Sequence, residues 1–132
     1  MFEKFNYYPD QIQKYYQAAV RDLHLAILAE APEIIFYLSY NIIIKMAIAV
    51  CAKNNLRVKS RVGHHIELIA KLAEYLDDQE IEDVANKMRT KRNRDLYDGG
   101  VITSEKEAEF YICFCKKLVE RADRYLSPDK LL

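Results

Sequence analysis

A short basic stretch between Asn86 and Arg94 is the part of this 132-residue sequence best suited to chemistry. It holds five basic side chains and no acidic one, and therefore forms a local cationic surface. Removing these five from the chain's 20 basic residues leaves 15 against 20 acidic residues, so the remainder is net negative. A cationic surface on a neutral protein steers phosphate-bearing ligands towards itself. Its members are Lys87, Arg89, Lys91, Arg92 and Arg94.

Arg92 is distinguished from the other four by its place on a predicted helix. Apolar residues at 81, 85 and 88 mark the buried face, and further helical steps reach Arg92 and then Leu96. Removing a guanidinium from water costs on the order of several kcal/mol. We therefore expect Arg92 to reach solvent through a gap in the fold, or to face a polar cleft or a second subunit. Asn93 and Tyr97 follow closely, which predicts a polar cluster at this helix end.

The charges along this helix also have a purely structural explanation. Five acidic residues lie between positions 77 and 83, at the helix start, and the bases gather towards its end. The helix macrodipole favours this order, by about 0.3–1 kcal/mol per charge. The basic stretch alone is therefore compatible with a solvated helix face, whereas the position of Arg92 is not explained in this way.

Five helices are predicted in all, and two of them lie in the first half of the chain. The first begins at Pro9 and Asp10, residue types suited to a helix start. The second, about 32–53, is apolar on nearly every side, but polar residues interrupt it and the apolar run is short for a bilayer, so we interpret it as a central helix. A basic loop with Arg57, Lys59 and Arg61 follows it. The predicted inward face of the first helix is Ile12, Tyr16, Ala19, Leu23 and Ile27.

The second half of the chain predicts three more helices. Asp98 with two glycines ends the fourth helix, and Ser104 with Glu107 forms a capping box that begins the fifth. Such short connections favour an all-α, up-and-down helical bundle of four long helices plus a fifth, in a single domain over 1–132. The predicted inward faces are Val62, Ile66, Ile69, Leu72 (or Ala73) and Leu76; Ile81, Val84, Ala85 and Met88; and Ala108, Tyr111, Cys115, Leu118, Ala122 and Tyr125 (or Leu126).

Composition excludes several classes of protein. A 51% hydrophobic content is too high for a disordered chain, and zero net charge excludes a generally basic nucleic-acid binder. Three cysteines without a CxxC pair argue against a disulfide framework. The first residues lack the features of a signal peptide. We therefore expect a cytoplasmic protein without a membrane segment.

Two other positions are candidates for the polar cluster, and no metal or cofactor site is predicted. His65 lies near the inward face of the third helix, either as a packed, hydrogen-bonded side chain or as part of the site. Asp22 adjoins Leu23 and either pairs with Arg92 or is an ordinary helix-surface charge. No histidine follows a glutamate three residues earlier, as a di-iron bundle requires, and Cys113 and Cys115 point to different helix faces.

Several segments together resemble the HEPN family, a group of small helical bundles. The segment 92–100 (RNRDLYDGG), followed by 104–108 (SEKEA), is similar to the family signature. Upstream, 19–23 (AVRDL), 38–41 (LSYN) and 63–65 (GHH) agree in order and spacing. The resemblance covers nearly the whole chain. It implies a homodimer that binds RNA or a nucleotide, in a toxin–antitoxin or defence pair with a small nucleotidyltransferase.

The resemblance also assigns roles to particular residues. The family motif is Arg, usually a polar residue, and then His after four to six intervening positions; here Tyr97 stands at the position of the motif His. This implies ligand binding by Arg92, Asn93 and Tyr97, with Arg89 and Arg94 as electrostatic support and Asp22 and His65 in second rank. One alternative is a metal-independent ribonuclease at a dimer interface, in which Arg92 stabilises the phosphate and Tyr97 or His65 moves protons. Another is a structural or interaction protein without a ligand.

Overall fold

Five α-helices and a two-stranded sheet make up the structure, a computed structural model. It describes residues 2–59, 64–98 and 103–127, and for residues 95–98 the helical backbone alone. The predicted mostly helical fold is confirmed. In chain order the elements are β1 (Phe2–Lys4), α1 (Pro9–Leu28), α2 (Pro32–Lys53), β2 (Leu56–Val58), α3 (His64–Leu76), α4 (Gln79–Asp98) and α5 (Glu105–Leu126).

Helix α2 is the centre around which the other helices pack. It contacts α1, α3, α4 and α5, and it supplies the largest share of the buried apolar side chains. By length and composition it is the one described helix that could cross a membrane, but 61% of its apolar window is buried within the fold. That burial is typical of the core helix of a bundle. It agrees with the interpretation of α2 as a central helix.

The order of helix packing leaves α4 and α5 apart along much of their length. Helix α3 packs against α2, and α4 packs against α3 and more lightly against α2. Helix α5 instead packs mainly against α2, with further contacts to α1 and α3. Because both α4 and α5 rest on α2, a groove runs between them.

Local sequence signals place the starts of α1, α2 and α5 where they were predicted, whereas the two glycines predicted to end α4 lie outside the described residues. Pro9 and Pro32 occupy the first turns of α1 and α2, where a missing N–H costs nothing. Before α5, the Glu107 amide donates to Ser104 Oγ and the Ser104 amide donates to Glu107 Oε1, both at 3.0 Å. The capping box at Ser104 is thus confirmed. Asn55, just after α2, takes the left-handed conformation, with φ of 58°.

The sheet was not predicted. Of the three residues predicted in a basic loop, Arg57 lies in β2, Lys59 follows the strand, and Arg61 lies outside the described residues. Strand β1 pairs antiparallel with β2, with Glu3 opposite Arg57. Arg57 Nε donates to Glu3 Oε1 at 2.8 Å, and the Arg57 guanidinium lies 4.2 Å from the Phe5 ring centroid. Two strands of three residues carry too little alternation to be recognised. Their stability comes from partners more than fifty residues away in sequence.

Two residues predicted to face the core are exposed. Ile27 in α1 and Ile66 in α3 each show 44% of their surface, whereas Ala26 and Leu68 are buried. In each helix another apolar residue one or two positions away occupies the buried face instead. The spacing rule allows steps of three or four, and the actual choice is made by packing against the other helices.

Candidate ligand-binding site

Arg92 lies over a buried aromatic ring, with its side chain partly exposed. Its Cζ is 5.5 Å from the ring centroid of Tyr40, which belongs to α2 and is 1% exposed. A guanidinium over an aromatic face is attracted by the ring quadrupole, which fixes its orientation without neutralising its charge. Arg92 therefore occupies the buried face of α4 as predicted, and it does so with its charge available at the surface.

His65 connects the same tyrosine to helix α3. The Tyr40 hydroxyl and His65 Nδ1 share a hydrogen bond of 2.9 Å, and the His64 ring centroid lies 4.5 Å from that of His65. Burial lowers the pKa of His65 to about 4, with smaller contributions from His64, Arg92 and Arg89. His65 is therefore uncharged at neutral pH. Burial also raises the pKa of Tyr40, against the opposing effect of the two arginines.

Arg89 completes a group that we call the Arg92 cluster: Tyr40, His64, His65, Arg89 and Arg92. Arg89 lies one turn before Arg92 on α4, half-buried, and its Nε donates to Asn86 Oδ1 at 3.3 Å. Within the described side chains, no carboxylate forms a salt bridge with Arg89 or Arg92. The cluster thus presents two guanidinium charges beside neutral hydrogen-bonding groups.

Asp22 has a different partner from the one considered in the sequence. It is 7% exposed in α1 and forms a 2.7 Å salt bridge with Lys45 of α2. Neither alternative, a pair with Arg92 or an ordinary helix-surface charge, therefore describes Asp22. A carboxylate buried to this degree needs a cation to offset its desolvation, and Lys45 comes from the helix packed most closely against α1. Asp22 serves α1–α2 packing.

The remaining bases of α4 lie on its other flank, along the α4–α5 groove. Lys91 reaches across it, with its Nζ 3.3 Å from Glu107 Oε2 and 5.3 Å from the Phe36 ring centroid. Hydrogen bonds from the Ser104 amide, and then Lys91, lower the pKa of Glu107. One compartment of the groove has a volume of about 700 Å³. Most of its lining residues are charged or polar: Asp83, Asn86, Lys87, Thr90, Lys91, Arg94, Glu107 and Tyr111.

The predicted site residues are therefore only partly brought together. Arg89, Arg92 and His65 share one cluster, whereas Arg94 lines the groove on the other flank. Asn93 is exposed on α4 next to Arg92. The side chain of Tyr97 lies outside the described residues, so its predicted role stays a prediction. The cationic stretch is thus two surfaces rather than one.

Sequence reasoning did not single out Tyr40 as a site residue. It occurs in one of the segments that carry the family resemblance, but the sequence did not distinguish it from a core tyrosine of the central helix. One available signal was a polar tip in a helix that is otherwise apolar, because a buried tyrosine hydroxyl normally finds a hydrogen-bond partner. The groove had no signal of this kind, since it depends on how α4 and α5 are spaced.

The parts of the chain that the structure describes hold no group of three or more histidine, cysteine, aspartate or glutamate side chains placed to bind a metal ion. Cys51 and Cys115 are buried in the core, and burial raises the pKa of each thiol to about 12. Both thiols are therefore protonated and unreactive at neutral pH.

Comparisons with known proteins do not place the chain in a family. No family model, no curated protein and no solved structure matches it. The case for a function therefore rests on the residues themselves.

Proposed function

We propose that the Arg92 cluster binds the phosphate of an RNA or nucleotide, in a HEPN-like module built as a bundle of four long helices plus a fifth. The observation that carries the proposal is the guanidinium of Arg92 held over the Tyr40 ring, with its charge unpaired among the described side chains. A planar, pre-oriented guanidinium is the side chain best matched to the oxygens of a phosphate.

The neighbouring groups support this choice of ligand. Arg89 adds a second positive charge within one helical turn, and neutral His65 offers a hydrogen-bonding ring instead of a competing cation. Asn93, exposed beside Arg92, offers both an amide donor and a carbonyl acceptor. Together these groups can hold a phosphate and contact the base or sugar attached to it.

Binding is tested with a fluorescently labelled single-stranded RNA and with adenosine and guanosine nucleotides. We expect Arg92→Ala to weaken RNA binding by about tenfold or more, the usual effect of a lost charge-assisted contact. The logarithm of the affinity of the wild type should fall linearly with that of salt concentration, and the slope should be smaller by about one in the variant. Fluorescence anisotropy over a salt series measures both quantities.

The matched control is Arg124→Ala, which removes an exposed arginine from the last turn of α5. It lowers the net charge by the same amount without touching the Arg92 cluster, so we expect less than about a twofold effect. Equal losses of affinity in the two variants would show that binding depends on the overall charge and not on the Arg92 cluster. Absence of binding by the wild type to every RNA and nucleotide would refute the proposal.

A ribonuclease is the second candidate, and the arrangement of His65 and Arg92 around the same Tyr40 side chain favours it. With Nδ1–H donating to the Tyr40 oxygen, Nε2 is free to take the proton of an RNA 2′-hydroxyl. The 2′-oxygen then attacks phosphorus, the bond to the 5′-oxygen breaks, and that oxygen takes a proton from water. Arg92 would stabilise the added negative charge on the phosphorane.

Incubation of the purified protein with end-labelled RNA separates the candidates. Cleavage that disappears in both Arg92→Ala and His65→Asn would establish the enzyme, whereas retention without cleavage supports the binding module. A third outcome, in which Arg92→Ala disrupts self-association and neither form binds nucleotides, would indicate a structural or interaction role. The homodimer, the toxin–antitoxin or defence setting and the nucleotidyltransferase partner remain proposals carried by the resemblance.

A further inference from the structure

The α4–α5 groove has a second compartment that is chemically unlike the first. It is mainly apolar, has a volume of about 360 Å³, and adjoins the first compartment at Lys87, Glu107 and Tyr111. Phe110 in its wall is 50% exposed, so an apolar surface is open to an occupant of the compartment. Its lining residues are Val84, Lys87, Met88, Lys106, Glu107, Phe110 and Tyr111.

Charge around the two compartments is predominantly positive. Lys87, Lys91, Arg94 and Lys106 line the groove, against Asp83 and Glu107. Lys91 is already paired with Glu107. The other three cations form no salt bridge with any side chain in residues 2–59, 64–94 and 103–127. An occupant of this groove is therefore expected to bring carboxylates to the rim and hydrocarbon to the centre.

The aromatic rings are arranged to receive aliphatic side chains rather than bases. Phe110 stacks on Phe114 with ring centroids 6.2 Å apart, which covers one of its faces. Tyr111 is 9% exposed and packs edge-on against Phe36. Base stacking on single-stranded nucleic acid needs open aromatic faces. The compartment also presents the aliphatic side chains of Val84 and Met88, which suit a branched aliphatic anchor.

We propose that the α4–α5 groove binds an amphipathic helix of a partner protein, one with aliphatic anchors on one face and acidic residues along its edges. The aliphatic anchors fill the compartment around Phe110, and the acidic residues pair with Lys87, Lys106 and Arg94. This is recognition of a helix by a hydrophobic groove with complementary charge at the rim. It uses the flank of α4 opposite to the Arg92 cluster and does not depend on the proposed function.

The test is a selection from a displayed library of helical peptides with apolar residues at helical spacing and randomised polar positions. We expect the enriched peptides to carry acidic edges and leucine-like anchors. Their dissociation constants should rise about tenfold or more on Phe110→Ala, as for a buried anchor contact. The double variant Lys87→Glu/Lys106→Glu should weaken binding at least as much, because each new carboxylate repels the acidic edge.

Matched controls remove similar groups elsewhere on the surface. Leu28→Ala shortens an apolar side chain that is 78% exposed at the end of α1, and Lys14→Glu/Lys116→Glu reverses two exposed lysines. Neither control should change peptide affinity by more than about twofold. Arg92→Ala should also leave it unchanged, even where it abolishes RNA binding. If Phe110→Ala fails to fold by circular dichroism, the lysine pair alone decides the result.

Several outcomes would overturn the proposal. Enriched peptides with basic edges, peptides insensitive to both groove variants, or no enrichment above an unrelated helical protein would each exclude an acidic helix as the occupant. RNA binding lost in Lys87→Glu/Lys106→Glu but retained in Arg92→Ala would make the groove a nucleic-acid surface. Self-association abolished by Phe110→Ala in sedimentation experiments would make a second copy the occupant.

Discussion

The two flanks of α4 carry charges from the same short stretch of sequence, but they are built differently. On the flank facing α2 and α3, Arg92 rests on a buried tyrosine and no described acidic side chain pairs with it. On the flank facing α5, Lys91 is paired with Glu107, and its Nζ lies 5.3 Å from the ring centroid of Phe36. Helical periodicity sorts neighbouring bases into different surroundings, so a run of like charge need not be one binding surface.

The largest expected effect is on the free energy of unfolding, when Tyr40, the buried ring beneath Arg92, is substituted. Tyr40→Ala should lower the free energy of unfolding by about 3–5 kcal/mol, because it leaves a cavity at a fully buried aromatic position. Tyr40→Phe keeps the ring and removes the hydroxyl that bonds His65, so the expected loss is only about 1 kcal/mol. Urea denaturation measures both. Equal losses would show that the hydrogen bond, rather than the ring, supports this flank.

Charge reversal compares the two flanks directly. Arg92→Glu should weaken RNA binding by about 10–100-fold, since it replaces attraction with repulsion at the proposed phosphate site. Arg94→Glu changes the net charge equally but on the groove flank, and less than about a threefold effect is expected. Anisotropy titrations at a single salt concentration suffice. A larger effect of Arg94→Glu would place the ligand in the groove and invert the comparison.

The pH dependence of stability should report the lowered pKa of the half-buried His65. The pKa of His65 is lowered from 6.5 to about 4 in the folded protein, so between these pH values the unfolded chain binds more protons. Stability is therefore complete above pH 6.5 and is lost as the pH falls towards 4. The loss should be on the order of 1 kcal/mol, because solvent screens this half-buried ring.

Comparison of the wild type with His65→Asn, by thermal unfolding between pH 4 and 7, isolates this contribution. The difference in unfolding free energy between the two proteins should shrink as the pH falls through that window. The lowered pKa of Glu107 acts in the same direction, but below pH 4.5, and it is common to both proteins. A difference that is constant with pH would show that His65 titrates normally.

The smallest effect is expected on the groove flank. Glu107→Gln keeps a side chain able to complete the capping box with Ser104 but removes the charge that Lys91 contacts. The pair is largely exposed on the Glu107 side, so the expected change is about 0.5 kcal/mol or less. The matched variant Ser104→Ala removes the cap itself and should cost about 1 kcal/mol. Denaturant titrations that gave the reverse order would assign the stabilising role to the salt bridge.

Local signals were enough to predict the helices and the position of Arg92. Proline at helix starts, the capping box at Ser104 and the spacing of apolar residues act within one or two turns, and sequence displays them directly. The strand pairing of Glu3 with Arg57 and the salt bridge of Asp22 with Lys45 depend on which distant segments meet. Periodicity gives the angle of a side chain around its helix, but it does not give the neighbour found at that angle.

The same limit explains why the candidate site was only partly predicted from the sequence. Arg92 and His65 were each selected from their own helix, and the residue that joins them, Tyr40, comes from a third. The sorting of Lys91 and Arg94 to the groove follows from α5 packing on α2 rather than on α4. An order of packing that leaves two successive helices apart is a property of the whole bundle, and no short segment encodes it.

The pairing of β1 with β2 has a practical consequence for work at the amino terminus. Residues 2–4 pair with residues 56–58, and Lys71 Nζ of α3 lies 5.9 Å from the Phe2 ring centroid. A bulky fusion partner joined directly to Phe2, or trimming of the first few residues for crystallisation, would disturb both the strand pair and this contact with α3. Amino-terminal tags are therefore better separated from Phe2 by a flexible linker that leaves the strand pair intact.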